Sequence, residues 1–327
     1  MKAAPWPGAV AVSGGGDSLA LMLLLAEWAD AQKKSAPIVL TVDHGLRPGS
    51  AKDAKRVAQI AKELGLKAHV FAWKGAKPKA DIEAAAREAR YRLMGEWCST
   101  HGIAALYIAH TIEDQAETFL LRLARGSGLD GLSGMQSIAS FPVAGFDGLS
   151  LVRPLLNVSR GSLRNILKDA GLDWLEDPMN DDPRFARVKI RKHWPELEAL
   201  GLTPARIADA ANHLARARQA LEKATAELLA RACRFEADGA VLDGAALTAA
   251  PREIGLRALA SVLGQISGQP YRPRFERLER LFEAISDGPG KGRTLHGCRI
   301  GPAAKQHAHF GVNSLTITRE KPRPRRR

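Results

Sequence analysis

The sequence predicts an α/β protein: a parallel sheet covered by helices over residues 1–200, then a smaller helical and mixed region over residues 201–327. Three observations carry this reading. Short apolar runs alternate with helix-period segments through the first half, as in parallel sheets with crossover helices. A length of 327 residues suits about two domains at roughly 100–200 residues each. Charge is also uneven: the chain carries 48 Lys and Arg against 35 Asp and Glu, a net +13, and residues 201–327 alone hold 22 basic and 12 acidic residues.

The elements follow in order. Ala9 to Val12 reads as a buried strand, and Ser18 to Lys33 as a helix behind a glycine-rich turn. Ile38 to Val42 is a second strand, Ser50 to Leu64 a helix, and Ala68 to Trp73 a third strand. Asp81 to Thr100 is a long helix, Ala104 to Ala109 a further strand, and Glu113 to Leu123 another helix. In open parallel sheets ligands bind beyond the C-terminal strand ends. Ser13, Asp43 and His110 each follow a strand and are therefore expected to line one crevice. Gly126 to Gly148 reads as irregular. Ser159 caps a helix that runs to Ala170 and is stopped by Gly171. Asp177-Pro178, Asn180 and Asp182-Pro183 mark turns. Leu202 to Arg234 is helical, and residues 246–327 form a compact mixed segment. Arg319 to Arg327, with six basic residues and two prolines, reads as a disordered tail.

No run approaches the ~18 apolar residues of a membrane span, and no secretory signal opens the chain. Cys98, Cys233 and Cys298 lie far apart without a CxxC, which argues against a disulfide framework or a zinc ribbon. The cytoplasm is the expected compartment. A basic C-terminal region suits a polyanionic partner; a basic surface kept for solubility is the competing reading.

Four stretches carry chemistry. Ser13-Gly14-Gly15-Gly16-Asp17-Ser18 sits between a strand and a helix. Glycines let backbone N–H groups approach a phosphate, and a helix N-terminus adds positive potential. It is neither a Walker A loop nor a dinucleotide fingerprint. Val42-Asp43-His44-Gly45-Leu46-Arg47 follows the second strand; Asp43 can meet an adenosine or hold its own loop. In Asp81 to Arg92, Glu83 and Arg87 have salt-bridge spacing, whereas Arg90 has Ala86 four residues before it. Finally, His110, Asp114 and Glu117 are spaced to share one side of a helix start. Two carboxylates there can bind an ammonium group or magnesium, or take a proton. Acidic residues also favour helix N-termini for the dipole alone, which accounts for Glu113 better than for the whole set.

Together these stretches resemble the tRNA(Ile)-lysidine synthetase family of the PP-loop ATP pyrophosphatase superfamily, whose fold is adenine nucleotide alpha hydrolase-like. The resemblance runs through SGGGDS, VDHGLR, EAAAREARYR, AHTIEDQAETFLLRLARGSGLDGLSGM, Arg153-Pro154-Leu155-Leu156 and Trp174 to Asn180. Thr294 to Cys298 resembles a C-terminal segment of some members. The chain departs at Glu113, where Asp is usual, at Asp81, where Asn is common, and at Thr111, where many members have a second histidine.

The resemblance implies an ATP-dependent ligase. ATP adenylates the C2 oxygen of the cytidine at the first anticodon position of a minor tRNA(Ile), and the ε-amine of free L-lysine then displaces AMP. By the same resemblance Ser13, Gly14, Gly15, Gly16, Asp17 and Ser18 hold ATP, with Asp17 organising Mg2+ and Asp43 nearby. Asp114 and Glu117 hold the lysine, and one of them accepts its proton. His110 sits by the adenylate or the base, and Arg90 contacts phosphate or substrate. Arg187 and Arg191 reach tRNA or ATP, and the C-terminal region supplies tRNA affinity. The sequence leaves open a monomer or a homodimer. A tRNA thiolase of the same superfamily would usually need cysteine pairs. A small-metabolite PP-loop ligase would not need the basic C-terminal third, and a non-catalytic RNA-binding protein would not need the His110–Asp114–Glu117 set.

Overall fold

A computed structural model describes residues 4–75, 77, 82–176, 186–269, 271–288 and 292–320. The readings at Asp81, the turns over 177–183 and the tail beyond Glu320 lie outside the described residues, as does the side chain of Glu83. The chain divides into two compact units, Met1–Ala215 and Arg216–Arg327. The division falls inside a long helix, later than the boundary expected at residue 200.

In the first unit the alternation of the sequence becomes β1 (Gly8–Ala11), α1 (Gly16–Ala31), β2 (Ile38–Asp43), α2 (Ser50–Glu63), β3 (Ala68–Ala72), α3 (Ile82–Thr100), β4 (Ala105–Tyr107) and α4 (Ile112–Ala124). Then come α5 (Leu129–Leu132), β5 (Ile138–Ser140), β6 (Ser150–Val152), α6 (Arg160–Asp169), α7 (Ala186–Lys192), α8 (Trp194–Ala199) and α9 (Pro204–Ala232). The glycine-rich stretch read as irregular thus holds a short helix and a strand. Among the described residues these strands form one sheet, ordered β3-β2-β1-β4-β6-β5. All pairs are parallel except β5 with β6.

Alternation along the strands sends side chains to both faces. Val10, Val39 and Tyr107 pack with Leu21 and Met22 of α1, Val57 of α2 and Leu163 and Leu167 of α6. Ala9, Leu40 and Leu106 pack on the other face with Tyr91, Met94 and Cys98 of α3. A sheet buried on both faces needs near-continuous apolar strands, which is why those runs were legible. The chain moves outward from β1 to β2 and β3, then returns to the other side of β1 as β4. That reversal opens a crevice at the C-terminal ends of β1 and β4.

The second unit contains β7 (Cys233–Glu236), β8 (Gly239–Asp243), α10 (Gly244–Ala249), α11 (Arg252–Ser267), α12 (Phe275–Ser286), β9 (Arg293–Leu295), β10 (Cys298–Pro302) and β11 (Ser314–Arg319), with 3-10 turns at Lys305–His307 and Gly311–Asn313. Its sheet is antiparallel, ordered β7-β8-β11-β10-β9. Leu259, Val262 and Leu263 of α11 and Leu278 and Phe282 of α12 pack with Leu242, Ile300 and Ile317 of the sheet. Arg319, where the tail was expected to begin, is the last residue of β11, paired with Cys298.

Candidate active site

The glycine loop closes on itself through its serines. Ser18 Oγ donates to Gly15 O at 2.9 Å and accepts from Ser13 N at 3.2 Å, while the Ser13 and Ser18 hydroxyls lie 3.3 Å apart. Gly14 sits at φ +92°, and a Cβ there would stand 2.6 Å from Leu175 Cδ1, so only glycine fits. Leu175 N donates to Gly14 O at 2.9 Å, fastening the Trp174 segment to the loop. The N-cap of α1 is Gly15, without a side-chain cap. Among the described residues the first-turn N–H groups of α1 therefore meet no capping side chain, as an anion-binding helix start requires.

Beside the loop lies a buried network of opposite charges. Asp114 is the N3 residue of a capping box with Thr111: its Oδ2 accepts from Thr111 N at 2.9 Å and Thr111 Oγ1 at 3.0 Å. Thr111, a departure from the family pattern, therefore still fixes the helix start. Arg160, at the first position of α6, donates Nη2 to Asp114 Oδ1 at 2.7 Å, Nη1 to Glu117 Oε1 at 3.2 Å and Nε to Asp17 Oδ2 at 3.3 Å. Its own backbone N–H donates to the Glu113 carboxylate at 3.1 Å. Glu117, fully buried, also accepts from Arg191 Nε at 2.7 Å and Nη2 at 3.1 Å. Arg187 Nη1 stands 3.8 Å from Asp114.

Burial alone would raise the Asp114 carboxyl, but Arg160, Thr111 N–H and neighbouring cations together hold it below its usual value. Burial likewise works against the Arg160 guanidinium, which its carboxylates nonetheless hold above the usual arginine value. At Asp17 burial outweighs the attraction of Arg160, and the carboxyl is raised. His110 is pushed down to about 3 by burial and by Arg153, Arg87 and Arg187 against the pull of Asp114. Arg153 Nε donates to His110 Nδ1 at 3.2 Å. A neutral imidazole whose Nδ1 accepts carries its proton on Nε2, so His110 is a hydrogen-bond donor here.

These groups meet in a cavity of ≈ 650 Å³ whose wall includes Ser13, Asp17, His110, Asp114, Arg160 and Arg191, within the usual size range for small-ligand sites. Gly15, Gly16, Ser18 and Arg90 also face it. Four expected residues, Gly14, Asp43, Glu117 and Arg187, do not line it. Asp43 holds its own loop, accepting at Oδ1 from Gly45 N at 2.9 Å and Ser50 Oγ at 2.5 Å, and it is the next residue, His44, that lines the cavity. The Ser50 hydroxyl chiefly keeps Asp43 below the usual carboxylate value. Glu117 lies behind the guanidinium groups of Arg160 and Arg191, which occupy both its oxygens. Arg191 is correspondingly turned to this network.

Arg160, the centre of the network, escaped the sequence reading. A cation at a helix start opposes the dipole, and α6 has no acidic residue in its first turn. That local misfit was the available signal. Burial, with Arg90 beside it, pushes His44 down to about 4, and its Nδ1 meets no hydrogen-bond partner among the described residues.

A PP-loop domain family matches residues 7–197, and the first unit is accordingly an ATP-binding PP-loop domain. Over 323 residues the chain is 41% identical to the tRNA(Ile)-lysidine synthase of Methylobacterium nodulans, covering 96% of this chain and 90% of that protein. It is 38% identical to that of a Bradyrhizobium species, covering 97% of this chain and 91% of the relative. A solved U34-tRNA thiolase from Methanococcus maripaludis superposes with TM-score 0.52 at 16% identity, over 64% of this chain and 71% of that one; this likeness shows the fold alone. The chain belongs to the tRNA(Ile)-lysidine synthase family.

Proposed function

We propose that the chain joins free L-lysine to C2 of the cytidine at the first anticodon position of a minor tRNA(Ile), using ATP and yielding lysidine, AMP and pyrophosphate. The observation that carries this is the placement of a phosphate-type glycine loop and the Asp114 carboxylate on one cavity, with Glu117 behind it in the same charge network. The two half-reactions need those two features.

In the first, the cytosine C2 oxygen attacks the α-phosphorus of ATP and pyrophosphate leaves. The uncapped start of α1 and the loop N–H groups hold the phosphates. Mg2+ is the proposed accompanying ion, and the residues fit it. Among the described hydrogen bonds Asp17 is engaged through Oδ2 alone, leaving a hard oxygen beside the phosphate loop. Bound there, the ion would neutralise phosphate charge. Arg90 faces the same cavity as a phosphate or substrate contact.

In the second, the lysine amine attacks C2, the C2–O bond breaks and AMP departs. The amine arrives protonated near pH 7, so it needs a carboxylate to orient it and an acceptor for its proton. Asp114 offers this at the cavity wall. Glu117 offers it where a cationic amine takes over the position now held by the Arg191 guanidinium. His110 does not fit the acceptor role, since Arg153 occupies Nδ1; it donates Nε2–H to the base or adenylate. Arg187 and Arg191, on α7 beside the acidic pair, are proposed to act at the ATP and lysine rather than at remote tRNA contacts. The basic second unit is proposed to dock tRNA. Among the described residues no helix is long and apolar enough to cross a membrane; the cytoplasm is the proposed compartment.

The test is nucleoside mass spectrometry of minor tRNA(Ile) after incubation with the protein, ATP and lysine, omitting each in turn. Lysidine only in the complete mixture is the expected result. An unmodified cytidine in the complete mixture would overturn it.

A further inference from the structure

The second unit brings two imidazoles and a carboxylate together away from the catalytic cavity. Glu236 ends β7, while His307 and His309 lie 71 and 73 residues further on, in the connection between β10 and β11. His307 Nδ1 stands 3.1 Å from Glu236 Oε2, and His309 Nε2 stands 3.0 Å from Glu236 Oε1. One ligand atom from each residue lies within 4.8 Å of the others, and no other set of three His, Cys, Asp or Glu residues among the described residues does so.

We infer that Glu236, His307 and His309 form a binding site for a divalent transition-metal ion of the Zn2+ type. The ligand set suits such an ion: imidazole nitrogens with one carboxylate, and an open fourth position for water. The spacing suits it as well. Tetrahedral arms of about 2.0–2.1 Å imply ligand-to-ligand edges of roughly 3.3–3.4 Å. His307 Nδ1 also stands 3.3 Å from Glu236 Oε1, the oxygen that His309 Nε2 meets at 3.0 Å, so both His-to-Glu edges of a site built on that oxygen are already close to this. Each imidazole presents its carboxylate-facing nitrogen, and a metal ion would take the place of these hydrogen bonds.

The surroundings hold the ligands in place. His307 N donates to Ala304 O at 2.8 Å, His309 N to His307 O at 2.9 Å, and Phe310 N to Ser314 Oγ at 2.9 Å. These successive turns set the two histidines two residues apart on a tight backbone. Gln306 lies 3.3 Å from His307 Nε2. With the metal on Nδ1, Nε2 carries a proton, and the Gln306 amide, turned to present its oxygen, accepts it; such outer contacts orient metal-bound histidines. The ion would tie β7, an edge strand paired with β8, to the β10–β11 connection, stabilising the unit by binding its folded form.

The experiment titrates untagged full-length protein with ZnCl2 against a chromophoric chelator and follows thermal unfolding with and without Zn2+. One bound equivalent and a raised unfolding temperature are expected. His309→Gln and Glu236→Gln should each weaken binding by at least about tenfold and remove the temperature rise, with circular dichroism unchanged. Should either variant lose its fold, Co2+ loaded into the wild-type protein decides. A spectrum of nitrogen and oxygen ligation supports the site, whereas a thiolate charge-transfer band assigns the metal to Cys98, Cys233 or Cys298 and overturns it. Absence of saturable binding, or binding unaffected by both substitutions, also overturns it.

Discussion

Arg160 in the first unit and Arg252 in the second each gather several carboxylates, and the two could hardly differ more in consequence. Arg160 reaches Asp17, Asp114 and Glu117 with its side chain 22% exposed, and Glu117 is fully buried. Arg252 reaches Glu279 and Glu283 at 3.1 and 2.9 Å, but its side chain is 51% exposed. Exposed pairs are screened by water and contribute little. Buried ones are expensive to break because the survivor is left charged and unsolvated. A cluster that resists solvent is thus a place where charge can be positioned for chemistry; an exposed one is a solvated surface feature.

The largest expected effect follows from that contrast. Arg160→Ala should cost about 3–5 kcal/mol of stability, read by urea unfolding, and abolish lysidine formation. Arg252→Ala should leave both near wild type. Comparable losses from the two would erase the distinction.

Next comes the acidic pair. Asp114→Asn or Glu117→Gln should remove the proposed charge-assisted contact to the lysine ammonium, worth about 1.5–3 kcal/mol. Lysine-dependent kinetics at saturating ATP and tRNA should show a raised KM and a slower transfer step. Wild-type values would reduce both residues to partners of Arg160 and Arg191.

A smaller effect concerns pH. His110 stays neutral when folded down to about 3, whereas its ordinary value is 6.5. Between those values the unfolded chain binds more protons, so stability falls as pH drops below about 6.5. His110→Gln should flatten this slope in unfolding temperatures taken from about pH 4.5 to 7.5. His44, held at about 4, contributes in the same direction, and His44→Gln serves as the comparison. Asp114 acts in the same direction but at lower pH: held below its usual 3.8, it stabilises above that value and its contribution is lost in stronger acid. A slope unchanged in the His110 variant would mean that the folded protein does not hold this residue neutral.

Much of this architecture was legible because its signals are local. The strands β1, β2, β3 and β4 are short apolar runs, and the glycine loop announces itself between a strand and a helix. β5 and β6 were missed because three residues carry no periodicity and β5 lies in glycine-rich chain. Arg160 was missed for a different reason: its partners lie 43, 46 and 143 residues away, and no helical spacing encodes such a meeting. Asp43 shows the converse. Its two candidate roles were written in the same residues, and only the bonds from Gly45 and Ser50 separate them.

The division between a buried chemical site and an exposed docking surface is tested most directly with Asp17→Asn in the full-length protein. Because burial raises the Asp17 carboxyl, ionising it costs stability above its ordinary pKa, and the neutral amide should fold at least as well at pH 7. Pyrophosphate release with tRNA and lysine is measured alongside tRNA affinity across a salt series. The expected result is near-complete loss of release with wild-type affinity and salt slope, since the tRNA phosphate contacts are proposed to lie in the second unit. Normal release, or a loss of tRNA affinity matching the loss of turnover, would contradict it.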